Sequence, residues 1–359
     1  MPTSTVSIEP FVGRIRSLTL HFPYYGLYRK FIPGKTPVGF SPDVWEQVIA
    51  LLSDSYYAWS LSPNNLGIHS LKVSRTMPIT NHLLLDLPHD WLEDILSSVT
   101  DLCLRGYFFI WESKAYHGLT VLRLGPAGLS HLTSISELQL ANILAFSPQL
   151  QYLNIDLDII PEIPPPPPIR LSQLGVLVGD ISLLQLISPG PRELSVGVIW
   201  QPGRSSTGIL YSTRIKDFFS RANITRLLSH DLLWSSTASD VCYLLAMAPG
   251  VQVLALSHTS IDDDSFGKLI YPSLKVLYLL GECELDKSLF VDMVNKWNVK
   301  KIVLWGKSYI LGSNSWAATG NEWSIEEGLS DLGDVPIEFI SRSSKDVSAV
   351  DFFTSQAWA

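Results

Sequence analysis

The chain is short of charge. Asp, Glu, Lys and Arg make up 17% of its 359 residues, while 46% are hydrophobic; soluble proteins usually carry about 25% charged residues. Such a composition suits a fold in which strands and helices both feed one continuous core, and the length allows either two ordinary domains or one elongated repeat array. The net charge of -8 is dispersed, with no basic stripe in the sequence. No phosphate-neutralising surface is expected, so nucleic acid is not an expected partner. Cysteine is scarce: Cys103, Cys242 and Cys283 lie far apart and are odd in number. They spell neither a disulfide framework nor a zinc ribbon and read as buried thiols of a reducing compartment, the cytoplasm or nucleus. No apolar run reaches membrane-spanning length, the nearest (241–256) being broken by Pro249-Gly250. The first 17 residues lack the apolar core of a signal peptide. Neither membrane nor secretion is expected, and the Asn223-Ile-Thr225 sequon is read as unmodified.

Catalytic motifs are also lacking. There is no phosphate-cradling glycine loop, no G-x-S-x-G elbow, no H-E-x-x-H and no Cys-x-x-Cys. Histidines such as His69, His117, His230 and His258 are scattered. Asp262-Asp263-Asp264 lacks the alternating ligands and the glycine of a calcium loop and is read as charging a helix N-terminus. A non-enzymatic protein with no cofactor and no metal is expected. A hydrolase hidden in this chain would need a Ser or Cys nucleophile beside a His.

What is present is a repeated unit, best formed over Ser134 to Asp158. Ile135, Leu138, Ile143, Leu144 and Phe146 fall at helical spacing. Ser147-Pro148 then stops the helix, because proline cannot continue it. In the following segment Leu153, Ile155 and Leu157 alternate with polar Asn154 and Asp156, the pattern of a half-buried strand. The L-x-x-L-x-L core recurs at 66–73, 99–104, 119–124, 150–155, 171–176, 251–256, 274–279 and, more loosely, 299–304, with degenerate copies at 192–198 and 224–228. Central leucines 102, 122, 153 and 174 are 20, 31 and 21 residues apart, and 254 and 277 are 23 apart, near the period of leucine-rich repeats. Helical patterns alternate with them at 87–98, 134–146, 181–187, 212–221, 238–248 and 285–297. Pro148, Pro249 and Pro272 precede strands in the same phase.

The fold expected is α/β, a leucine-rich-repeat solenoid with a curved parallel sheet on its concave side and helices on its convex side. Residues 1–40 are a first strand and an irregular loop, 41–310 the array with a helix opening at 41–52, and 311–359 a capping segment or tail. The loop over 200–211 is polar and glycine-bearing. Residues 160–169 (IPEIPPPPPI) form a proline run, read as an extended spacer in an enlarged connection. The alternative is a ligand for an SH3 or WW domain, with Arg170 the one close basic flank.

If leucines point inward, residues between them face outward. The outward set includes Cys103 and Ala255, and the candidate partner contacts are Arg123, Tyr152, Asn154, Asp156, Tyr278 and Trp305, because Tyr, Trp and Arg make good protein-binding anchors. Residues 87–96 (LPHDWLEDIL) share the Leu-Pro opening of an F-box, but strand VTDLCL follows at once and the stretch sits in phase with the repeat helices. It reads as a repeat helix.

The runs SSVTDLCLRGYFFIWESKAYHGLTVLRLG and SISELQLANILAFSPQLQYLNI resemble the repeat region of the F-box-like leucine-rich-repeat proteins abundant in mushroom-forming fungi. The resemblance covers most of residues 66–304. It implies that the repeats hold a protein substrate, and that an N-terminal F-box, which is not expected before Phe11, would dock the adaptor subunit of a cullin-based ubiquitin ligase. A scaffold or degenerate paralogue with no ligase role is the alternative. A monomer is expected.

Overall fold

A computed structural model of the chain describes residues 16–22, 68–75, 83–85, 90–126, 134–200, 209–231, 238–261, 271, 274–280, 283–305, 309–311, 332–340 and 349–358. The architecture is α/β with long parallel sheet, divided into two compact units, Met1–Leu150 and Gln151–Ala359. The helix expected over 41–52, nearly all of the loop expected over 21–40, most of the one over 200–211, Asp262 to Asp264 and most of the segment after 311 lie outside the described residues.

In the first unit, strands β1 (Ser17–Phe22), β2 (Ser70–Arg75), β3 (Asp101–Arg105) and β4 (Val121–Gly125) pair in parallel in that order. Helices α1 (Asp90–Leu96) and α2 (Glu137–Ala145) follow β2 and β4. Each strand takes only the later part of its L-x-x-L-x-L motif. Leu102 and Leu104, or Leu122 and Leu124, point into the core, while the leading Val99 and Leu119 are buried in the turn before the strand. Thr100 shows how that turn is held: its carbonyl accepts from the amides of both Thr120 and Val121, so the ladder continues past the strand ends.

Helix α2 begins where its sequence allows it to. Ser136 caps Gln139, whose side chain accepts in return from the Ser136 amide, a reciprocal box that satisfies two orphan donors. It ends one turn before Pro148. Ser147, fully buried, then donates to the Tyr116 carbonyl at 2.8 Å and accepts from the Leu119 amide at 3.1 Å. The serine of the helix stop thus ties one turn of chain to the previous one. At α1, Glu93 Oε2 accepts from Ser113 Oγ at 3.1 Å and from the Lys114 amide at 2.7 Å. The described part of the F-box-like stretch, Asp90–Leu96, is therefore one helix, followed by β3 and fastened to the connection after it.

The second unit carries β5 (Tyr152–Ile155), β6 (Val176–Gly179), β7 (Glu193–Trp200), β8 (Asn223–Asp231), β9 (Val253–Ser257), β10 (Val276–Leu280), β11 (Ile302–Trp305) and β12 (Ile337–Ile340). They pair in parallel in sequence order. Helices α3 (Thr213–Arg221), α4 (Ala238–Met247) and α5 (Lys287–Lys296) lie between strands, and α6 (Ala349–Trp358) closes the described chain. The degenerate copies become the longest strands, β7 with 8 residues and β8 with 9. Instead of an α-helix, a 3-10 helix over Ile181–Leu186 connects β6 to β7.

Register aligns one core row across the second unit: Leu153, Leu177, Val196, Leu227, Leu254, Leu277 and Ile302. All seven are buried, and each such side chain contributes about 1.5 to 3 kcal/mol. The next inward row runs Ile155, Gly179, Val198 and Ser229. A Cβ on Gly179 would lie 2.7 Å from the Ile155 carbonyl oxygen and 2.7 Å from Leu183 Cδ2. Leu183 belongs to the 3-10 helix, so this row faces the helical layer and Val178, Gly197 and Leu228 face the opposite way. Among the described residues no helix is long and apolar enough to cross a membrane.

Candidate functional site

In the first unit, register places Thr19, Lys72, Cys103 and Arg123 side by side on the outward face. Neighbouring strands lie about 4.8 Å apart, so this is a continuous row. Arg105, two residues beyond Cys103, stands on the same face. Lys72 and Arg105 are exposed, Cys103 and Arg123 half-buried. The charges of Arg105, Arg123 and Lys72 all act on the Cys103 thiol, but its burial outweighs them and pushes its pKa up, so the thiol stays protonated at neutral pH. Asp101 is the acid beside them and accepts from Ser70 Oγ at 3.2 Å. Three cations and one acid make a locally basic surface. The sequence hides it, because the residues come from three separate motifs.

The outward face of the second unit is different. Its middle row is Asn154, Val178, Gly197, Leu228, Ala255, Tyr278 and Val303, apolar in all but the Asn154 and Tyr278 positions. Val178, Leu228 and Ala255 are fully buried although they point away from the helical layer. The C-terminal helix explains this for β6, β7 and β8, since α6 packs on those three strands. Its buried residues Ala349, Val350, Phe353 and Thr354 form one helical stripe. The Arg226 guanidinium lies over the Phe353 ring, 5.1 Å from the centroid, and Nη2 donates to the Phe353 carbonyl at 3.4 Å. That is a cation–π contact in a partly desolvated setting, the kind that is stronger than on an open surface.

A third constellation sits at the C-terminal ends of β8 and β9. His230 Nδ1 and Ser257 Oγ are 2.9 Å apart across the two strands, a hydrogen bond whose direction follows the imidazole tautomer. The His258 ring stands edge-on to His230 at 5.7 Å between centroids, and His258 has a left-handed φ of 54°. Burial, and then the facing His258, drive the His230 pKa down to about 4. The serine-beside-histidine pair that a hydrolase would need is thus present, and sequence reasoning did not find it because the two residues are 27 positions apart. Its surroundings do not suit catalysis. Ser257 is completely buried, the imidazole is a weak base, and Asp231, next in the strand, points to the other side.

The sequence-predicted contacts divide accordingly. Arg123 lies in the first unit's cationic row and is half-buried. Asn154, Asp156 and Tyr278 are half-buried in the second unit; Asn154 Oδ1 is buried and accepts no hydrogen bond among the described residues. Tyr152 and Trp305 are outward by alternation but buried, at 1% and 4% exposure. Tyr152 shares its row with Val176, Ser195 and Arg226, the row that α6 sits on. The residues missed are Lys72 and Arg105, outward on neighbouring strands of the same face. The alternation that turns Arg123 outward turns these two outward as well. No group of three or more His, Cys, Asp or Glu side chains able to hold a metal occurs among the described residues. No protein-family model matches the chain, and a search of curated proteins finds no significant match.

Proposed function

We propose that this chain is a non-enzymatic protein-recognition module built on leucine-rich-repeat coils, and that it binds an acidic protein segment through the outward face of the first unit. The observation that carries the reading is the row Lys72–Cys103–Arg123 with Arg105 beside it. Inward positions of the same strands are leucine or valine; the outward ones vary and include Lys72, Asp101, Arg105 and Arg123, which suits a surface used for recognition. Three cations around one acid are too few for a nucleic-acid backbone, where proteins make about 6 to 10 phosphate contacts. They are enough to select a carboxylate-bearing peptide, because the guanidinium fork matches a carboxylate.

The role of substrate-binding region for an F-box-type ligase adaptor rests on the resemblance of the repeats and is carried as part of this proposal. Affinity capture from the cells that make the protein tests both levels. Wild-type chain should recover a partner set that the triple variant K72E/R105E/R123E loses, with unchanged thermal unfolding. Co-recovery of cullin-ligase subunits with that set supports the adaptor role. Recovery of the same set by both chains contradicts the assigned face. The His230–Ser257 pair takes a structural role here, fastening the ends of β8 and β9.

A further inference from the structure

The proline run is a surface feature that the recognition face does not absorb. It leaves the short strand Asp158–Ile160 and re-enters regular structure at strand Ile169–Leu171, which pairs with Ile187–Pro189. Between those fixed ends Pro164, Pro165, Pro167 and Pro168 are exposed, while Pro166 alone is buried. Its carbonyl accepts from Arg214 Nη1 of α3 at 3.0 Å. A polyproline helix has three residues per turn and no internal hydrogen bonds. Over residues 164–169 one edge of such a helix therefore carries residues 166 and 169, and the other two carry 164 with 167 and 165 with 168. Burying Pro166 turns the first edge inward. The remaining two edges present Pro164-Pro165 and Pro167-Pro168 together as a double ridge.

We propose that residues 164–170 are a docking ligand for an SH3-type domain, one with an aromatic-lined groove and an acidic pocket at one end. Two adjacent ridges of a proline helix are the shape that paired aromatic slots accept. Arg170, exposed, follows two residues after Pro168, so that Pro165, Pro168 and Arg170 read P-x-x-P-x-R. The arginine gives the ligand a direction and calls for a carboxylate on the partner. A WW domain takes the same proline helix without needing that cation, which is why the arginine favours the SH3 arrangement. The segment is also pre-ordered. Anchored at both ends by strands and in its middle by Arg214, it has little conformational entropy left to lose on binding.

Titration calorimetry of the full chain against a panel of purified SH3 domains, with purified WW domains alongside, tests this. At least one SH3 domain should bind with Kd of about 1 to 100 μM, a range expected for short linear ligands. Pro165→Ala with Pro168→Ala together, and separately Arg170→Glu, should each weaken it at least tenfold, whereas Pro166→Ala should change it less than threefold because that residue faces inward. Far-UV dichroism melts of each variant confirm that the fold survives. The proposal fails if no SH3 domain of the panel binds, if WW domains bind and Arg170→Glu has no effect, or if Pro166→Ala costs as much as the double variant.

Discussion

The outward faces of the two units are made by the same kind of strand and end up with opposite character. In the first, Lys72, Arg105 and Arg123 surround Cys103 on an accessible charged row. In the second, Val178, Gly197, Leu228 and Arg226 lie under the C-terminal helix, with Phe353 at the centre of the contact. The inward rows are nearly interchangeable, leucine against leucine. The lesson is that the repeat pattern governs architecture through its inward residues and leaves the outward ones free to become either a binding surface or a second core. An outward row that is mostly apolar signals a covered face, and a lone cation such as Arg226 can lie within it against an aromatic ring.

Breaking the covered face should have the largest effect. Phe353→Ala removes a side chain that is 1% exposed and strips Arg226 of its aromatic partner, so urea unfolding should report a loss of about 3 to 5 kcal/mol. Acid should cost nearly as much in the same unit. The His230 pKa is lowered from 6.5 to about 4 in the folded chain, so between those values the unfolded chain binds the proton more readily. Stability from this group is full above pH 6.5 and falls as pH drops towards 4, by about 3 kcal/mol at the lower end. Urea midpoints of wild type and His230→Asn across that window should converge as pH falls. A smaller loss, about 1 to 3 kcal/mol, is expected for Gly179→Ala, whose Cβ would meet the Ile155 carbonyl and Leu183 at 2.7 Å. The open face should hardly respond: Lys72→Ala changes nothing packed and belongs within about 0.5 kcal/mol of wild type. Equal sensitivity of Lys72 and Phe353 would erase the distinction between the two faces.

Much of the architecture was legible because inward leucines recur with a helix and a proline stop between them. Leu102, Leu122, Leu153, Leu254 and Leu277 were placed correctly from spacing alone, and strands β3, β4, β9 and β10 fall inside or just after their motifs. The systematic difference is one of phase. For β3, β4, β9 and β10 the first two motif residues form the turn before the strand, as Thr120 shows by bonding back to Thr100. The copy expected at 171–176 is displaced further, its strand starting only at Val176, so that Leu177 and not Leu174 takes the core row. Strands β7 and β8 were the faintest in sequence, because Ser195, Gly197, Arg226 and His230 sit where the leucine template expects nothing in particular, and they are the longest among the described residues. Exposure was the part that could not be read. Tyr152 and Trp305 alternate outward as expected, yet are buried. The row of Tyr152 continues to Arg226, which is covered by a helix 127 positions further along the chain, and no local pattern announces such a cover.

The most direct test compares the two faces in one binding experiment. The partner set captured by wild-type chain is measured against K72E/R105E/R123E, which reverses the open row, and against Arg226→Ala, which alters the covered one. The account predicts that the charge reversal abolishes capture with the thermal unfolding midpoint unchanged, and that Arg226→Ala lowers the midpoint but still captures the partner. Undiminished capture by the charge-reversed chain would contradict it.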